Sequence, residues 1–418
     1  MPYSLHDSIP VWGQHETATV RQLAACAAAG SAPLAALMAD GHPGYAQPIG
    51  GVVAYDGLVS PTGVGTDIAC GNKAVRTRLT WRQVRRDLRD IMSDLYAAVS
   101  FGAPRKLRRP VEHAVLEEPL WNDHRFLAPL HGLAREQLGT VGGGNHYVDL
   151  LVEVGGSLRM TDYRTLSELD SDAPVWVAVH FGSRGLGFKV ANGFVNLAQN
   201  LPFDAPRGDA HSPVLIPTDS ELGQAYLECM ELAGRYAYAG RDAVVDQVLR
   251  LLGTEAEFTV HNHHNFAWHE VHGGRPLWVV RKGATPLWPG QYGFIGGSMG
   301  DLSVVVRGAE SEESARALYS TVHGSGRILS RTQAAGKWGI HKGRRVRRGG
   351  LVDFPRIQRV LRSQGIELRG GEADEAPQVY RKLADVLPHH APTFELLHVL
   401  RPVGVAMAGP DEQDPYKD

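Results

Sequence analysis

Apolar residues recur three or four positions apart through Trp81, Val84, Leu88, Ile91, Leu95 and Ala98. That period places them on one face of a helix. Thr80 with Gln83 three residues on forms a capping-box pattern for its start, and Gly102 can stop it. Arg82, Arg85, Arg86 and Arg89 fall on the opposite face. Glu221–Leu252 is a second helical stretch, long enough for two helices, with Gly253 as its stop. Glu312–Ser320 and Gln378–Leu387 predict shorter helices. The run VWVAVH (175–180) is apolar without a break up to His180, so it reads as a buried strand that delivers His180 to a glycine loop. LSVVVRG (302–308) reads as a similar strand. Strands and helices interleave without a regular βαβ period and without an internal repeat. This predicts an α+β fold, not a doubly wound sheet. No Pro/Ser-rich linker divides the chain, so one domain is expected over residues 1–409. The polar tail 410–418 (PDEQDPYKD) is expected to fray.

Composition narrows the class. Of 418 residues, 43% are hydrophobic and 21% charged, which suits a soluble globular chain with a large core. No apolar run reaches the length of a membrane span, and the start MPYSLHDSIPVWG has no secretory pattern. Three scattered cysteines, Cys26, Cys70 and Cys229, make no disulfide framework, and a cytoplasmic setting is expected. The net charge of −2 does not suggest a protein that coats nucleic acid. Basic residues still cluster, as RKLRR (105–109) and KGRRVRR (342–348), and such runs are either solvated faces or RNA guides.

Glycine is in excess, 48 residues, and it gathers in GHPGYAQPIGG (41–51), GVGTDIACG (63–71), GTVGGGNH (139–146), HFGSRGLG (180–187), GQYGFIGGSMG (290–300) and HGSGR (323–327). Glycine allows a backbone to approach a ligand closely. These loops repeatedly carry metal-competent side chains: Asp67 and Cys70, then His146, His180, the histidines of 261–272, and His323. Such a scattered set suits a site assembled by the fold. It lacks the short spacing of structural zinc, and HEVH (269–272) is not the HExxH motif. A mono- or dinuclear centre is implied, its metal open among Mn2+, Fe2+ and Zn2+. His323 stands before Gly-Ser-Gly-Arg, where successive backbone N–H groups can cradle an anion and Arg327 can fork a phosphate. A histidine there could be a nucleophile, an acid/base or a ligand. Neither the Walker pattern nor a strand-to-helix GxGxxG is present.

GTDIACG, GTVGGGNHYVD, VHFGSRGLG, HHNFAWHE, RKGATP, GGSMG, STVHGSGRILSR and DEAPQVY occur in the order seen in RtcB-type RNA ligases, and the chain resembles that family over residues 10–408. The resemblance implies an α+β architecture around a central glycine-loop site. It also implies an enzyme of RNA repair or tRNA processing. Such an enzyme joins RNA 2′,3′-cyclic phosphate or 3′-phosphate ends to 5′-hydroxyl ends, using GTP and two Mn2+. His323 would be the nucleophile that forms a histidine–GMP adduct. Asp67, Cys70, His146, His180 and His264 would hold the metals, with Cys70 bridging. Asn145 and Asn265 would meet the guanylate phosphate. Asp149, Ser298, Met299, Ser303, Gly324, Ser325, Gly326, Tyr380 and Met407 would form the nucleotide pocket, while Arg184, Lys282 and Arg327 would face RNA or phosphate. The chain departs from the family pattern at Asp149 (usually glutamate), at Ser325 (usually alanine) and at Met407. The last stands about where a lysine touches the nucleobase. Its partners would be RNA ends, with an activating protein as an allowed addition, and no membrane. Two other functions stay open: a metal-dependent phosphoesterase that opens cyclic phosphates and stops there, and a non-catalytic RNA-end binding protein.

Overall fold

The computed structural model describes residues 3–102, 110–154, 169–341, 344–410 and 412, and only the backbone of 338–341 and 344–347. Strand Pro174–Phe181, apolar on both faces, lies inside an eight-stranded sheet. The order along that sheet is Ala256–His263, Gly71–Thr80, Pro174–Phe181, Tyr147–Val154, Phe394–Met407, Ser303–Gly308 and Tyr292–Ile295, with Glu367–Arg369 added beside Phe394–Met407. A six-stranded sheet joins Tyr3–His6, Ile9–Trp12, Leu34–His42, Ile49–Tyr55, Arg275–Lys282 and Asn265–His272. The mixed architecture is α+β, as the interleaved pattern predicts.

Register brings the chemistry to one end of the larger sheet. Phe181 lies opposite Gly71, and His180 lies opposite both Asn72 and Tyr147. His263 also lies opposite Gly71. Strand Ala256–His263 belongs to the larger sheet and Asn265–His272 to the smaller, so the chain changes sheets at His264. Side chains at strand ends and in the loops between them therefore converge where the sheets meet.

Glu221–Leu252 is a single unbroken helix of 32 residues, not two. Ser220 caps it by accepting from Gly223 N, and Gly253 ends it in the left-handed region at φ +64. Tyr226, Met230, Ala233, Tyr236, Ala237, Val244, Val245 and Val248 are all buried along it. Each fully buried large apolar side chain contributes about 1.5–3 kcal/mol. This packing explains why the helix needs no interruption.

Three predicted helices differ in detail. The capping box at Thr80 is present, but Trp81–Val84 and Leu88–Ala98 are separate helices. Asp87 sits between them at φ −107 and ψ 11. Trp81, Val84, Leu88, Met92 and Leu95 are all buried, while Ile91 is half-buried. Val99 is already extended, and Ser100–Phe101 is a strand, so Gly102 is not the stop. The helix predicted over 312–320 ends at Arg316, because Leu318 and Tyr319 adopt positive φ and Ser320 opens a strand. The helix predicted over 378–387 is interrupted, with 3-10 turns at Pro377–Val379 and Leu387–Thr393 around the short helix Leu383–Val386. Tyr380 between them is extended.

The run 105–109 lies outside the described residues, as do Lys342 and Gly343. Arg344–Arg348 forms a strand paired with Lys337–His341. Of the tail 410–418, Pro410 and Glu412 are described, and Glu412 accepts from the hydroxyl of Tyr96 at 2.8 Å. No helix among the described residues is long and apolar enough to cross a membrane.

Candidate metal and nucleotide site

Gly71 opens its strand under severe crowding, since a Cβ there would lie 2.0 Å from Asn262 O. The preceding loop bends sharply, with Ala69 at φ +60, and this aims Asp67 and Cys70 toward the end of the sheet. Cys70 Sγ lies 3.4 Å from His180 Nε2 and 4.0 Å from His146 Nε2. His146 Nε2 is 3.0 Å from Asp67 Oδ2. Two donor sets result, Asp67–Cys70–His146 and Cys70–His180–His264, each with its atoms within 4.8 Å of one another. Cys70 belongs to both.

The imidazoles are oriented from behind, as metal ligands usually are. His146 Nδ1 pairs with Val141 O at 2.9 Å, and His180 Nδ1 with Asn72 Oδ1 at 2.8 Å. His264 N donates to Cys70 O at 2.8 Å, while its buried Nδ1 has no hydrogen-bond partner among the described residues. Burial, then neighbouring positive charge, holds His180 and His264 far below the ordinary histidine range, so both are neutral and able to bind a cation. Burial pushes the Asp67 carboxyl up, but the charge and hydrogen bond of His146 outweigh it and the net shift is downward. A carboxylate, three imidazoles and one thiol fit borderline divalent transition metals.

His323 follows strand Ser320–Val322 and approaches this cluster, its ring 5.0 Å from that of His264. Its Nδ1 lies 2.6 Å from Asp40 Oδ2, close but short of hydrogen-bond alignment. The same oxygen accepts from His323 N at 3.0 Å and Gly324 N at 3.2 Å. Asp40 is fully buried; burial raises its pKa, but His323 outweighs this and the net shift is downward. The carboxylate thus lies against one nitrogen of a ring that lines the cavity. Gly283, at φ +60, packs against the ring; a Cβ there would stand 3.1 Å from His323 Cε1 and 2.4 Å from Ile49.

The cavity holds about 770 Å³. It is lined by Asp67, Cys70, Asn145, Asp149, His180, His264, Asn265, Lys282, Ser298, Met299, His323, Gly324, Ser325, Gly326, Arg327, Tyr380 and Met407. Asp149 is 7% exposed with Oδ1 unpartnered, and burial holds its carboxyl far above the ordinary range. Met407, Met299 and Val405 form an apolar patch beside it.

Several expected residues stand differently. Arg327 directs its guanidinium to Tyr380, Glu375, Leu329 O and Asp374 O, so the phosphate fork expected of it is already engaged within the protein. The Tyr380 hydroxyl donates a hydrogen bond to Glu375, and burial, then that carboxylate, pushes its pKa up. Asn265 ties two loops together, accepting from Gly283 N at 2.7 Å and donating to Asp67 O at 3.2 Å. Arg184 is buried behind His146, with Nη1 3.4 Å from His146 Nδ1, and does not line the cavity. Ser303 also sits behind the wall, accepting from Gly297 N at 3.0 Å.

Asp40, Asn72 and Arg241 were not singled out from sequence. Arg241, fully buried on the long helix, donates to His261 Nε2 at 2.8 Å, Ala69 O at 3.0 Å and Phe181 O at 2.6 Å, with His263 Nδ1 at 2.9 Å. It clamps the loops carrying Cys70 and His180. An arginine four residues after Ala237 and three before Val244, on the apolar face, was the available signal. Arg241→Met is expected to cost about 3 kcal/mol or more, because each acceptor left buried without a donor costs about 1–3 kcal/mol. Urea unfolding measures this; an unchanged midpoint would show that the helix does not hold these loops.

The family model described as tRNA-splicing ligase RtcB matches residues 21–131 and 127–408. The chain is 31% identical to "tRNA-splicing ligase RtcB" of Thermococcus kodakarensis, covering 88% of this chain and 86% of that one. It is 28% identical to "RNA-splicing ligase RtcB" of Escherichia coli, over 88% of each. With "RNA-splicing ligase RtcB homolog 1" of Entamoeba dispar the identity is 27%, over 88% of this chain and 77% of the other.

Proposed function

This chain belongs to the RtcB family, and from that premise we propose that it is an RNA ligase. It would join a 3′-phosphate or 2′,3′-cyclic phosphate end to a 5′-hydroxyl end, with GTP and Mn2+, through a histidine–GMP adduct. The observation that carries this reading is His323, a cavity residue with Nδ1 against buried Asp40, beside the two donor sets that share Cys70. Nε2 attacks the α-phosphorus of GTP; the N–P bond forms and pyrophosphate leaves. An oxygen of the RNA 3′-phosphate then attacks that phosphorus, breaking the N–P bond and returning the imidazole. The 5′-hydroxyl loses its proton, attacks the activated RNA phosphate and expels GMP. A cyclic end must first be opened by water to the 3′-phosphate.

Asp67, Cys70, His146, His180 and His264 would hold the metals. Bound there, Mn2+ supplies positive charge to phosphate oxygens and aligns the displacement. Asn145 and the backbone of Gly324–Gly326 would receive the guanylate phosphate. Asp149, Ser298, Met299, Ser325, Tyr380 and Met407 would enclose the base and sugar, with Ser303 bracing the 296–300 loop. Lys282 is the cation we assign to RNA phosphate; Arg184 and Arg327 would support it indirectly.

Sealing tests this reading. Purified protein with Mn2+ and GTP should join a strand ending in 2′,3′-cyclic phosphate to a 5′-hydroxyl strand, and leave both unjoined when GTP is omitted. Opening of the cyclic end with no joined product under any nucleotide would replace the ligase by a phosphoesterase.

A further inference from the structure

One wall of the cavity carries side chains that the adduct chemistry does not use. Tyr45, in the loop between strands Leu34–His42 and Ile49–Tyr55, is 39% exposed and lines the cavity. Its backbone is fixed: Gln22 Nε2 donates to Gly44 O at 3.0 Å and to Tyr45 O at 2.9 Å, and Gly44 N donates to Gln22 Oε1 at 3.2 Å. The exposed Arg207 places its guanidinium carbon 4.5 Å from the centre of the Tyr45 ring. His211, another cavity residue, meets that ring edge-on at 5.4 Å. Lys282 Nζ lies 5.9 Å from the same ring.

Lys282 links this cluster to the reactive centre. Its methylene chain lies against Gly65, two residues before Asp67, and its neighbour Gly283 packs against the ring of His323. A flat group against Tyr45 and Arg207 would therefore have the Lys282 cation close by, in the cavity that also holds His323. Flat π-surfaces with flanking cations bind the ends of single-stranded nucleic acid, whose bases stack on aromatic rings or guanidinium planes.

We propose that Tyr45 and Arg207 form a stacking platform for the terminal nucleoside of an RNA end, with His211 bracing the ring and Lys282 taking the end's phosphate or terminal oxygen. The proposal rests on the ligase reading and adds the subsite that holds the RNA. Two ends could occupy it, the 3′-phosphate strand or the 5′-hydroxyl strand.

Fluorescence anisotropy can test it with three ten-nucleotide RNAs: one ending in 3′-phosphate, one beginning with 5′-hydroxyl, and a circle of the same sequence. Tyr45→Ala should weaken at least one of the linear strands about tenfold, in the range of single-base stacking, and leave the circle unchanged. Tyr45→Trp should restore binding, and Tyr45→Leu should not. Loss confined to one linear strand assigns the platform to that end. Wild-type affinity for both linear strands in Tyr45→Ala, or full binding by Tyr45→Leu, would overturn the proposal, as would equal loss on the circle. Label uptake from GTP by the same preparations reports separately on the ligase reading, since that step involves no RNA.

Discussion

His323→Ala is expected to take up no covalent label from α-labelled GTP with Mn2+, and sealing should fall by more than about a thousandfold, as for the loss of other catalytic nucleophiles. The reason is specific. His323 is the cavity-lining imidazole whose Nδ1 lies 2.6 Å from a buried carboxylate, that of Asp40. The neighbouring His180 and His264 belong to the donor sets and cannot replace it. Asp40→Asn should act in the same direction but less, about 10- to 100-fold, as when an orienting partner is lost. Phosphoramidate bonds are acid-labile and base-stable, so the label's stability identifies its linkage. Label retained in His323→Ala would move the nucleophile elsewhere. Running ATP beside GTP asks a second question. Burial pushes the Asp149 carboxyl above its ordinary range, and Met407 offers no donor, so the pocket's grip on guanine is itself under test.

The second large effect falls on Cys70. Its sulfur is the donor common to both sets among the described residues, so on the ligase reading proposed above Cys70→Ala should bind one Mn2+ or none where the unaltered protein binds two. Sealing should fall with it. Titration calorimetry and metal analysis after gel filtration measure the stoichiometry. Cys70→Ser should retain part of the affinity, because Mn2+ tolerates hard oxygen donors. Two equivalents bound to Cys70→Ala would show that the sets do not share their ligand.

The sequence made the loops legible better than the supports behind them. Cys70, His146, His180, His264 and His323 stand in glycine-rich or histidine-rich runs, and the structure brings all five together. Asp40 stands one residue before the glycine run 41–51, yet nothing local says that its carboxylate meets a histidine 283 residues away. Asn72 and Arg241 were hidden for the same reason, since their partners are set by strand register and helix packing. Arg327 shows the converse error. A basic residue after glycines suggests a free phosphate fork, but Glu375 and Asp374 arrive from a distant turn and engage it. The strands 174–181 and 303–308 were readable because unbroken apolar runs leave few alternatives. The helix over 81–98 breaks at Asp87, whose non-helical backbone the apolar spacing does not reveal, because Val84 and Leu88 share one face whether or not the helix continues.

The passage of the chain from one sheet to the other at His264 has a bearing on how this enzyme can change. The backbone of that residue makes the joint, donating to Cys70 O and accepting from Ala284 N, while its imidazole belongs to a donor set. The side chain can thus be exchanged without cutting the seam, whereas a change that shifts the seam also carries the imidazole with it. Tuning of the donor set and strength of the joint are therefore separable in one direction only.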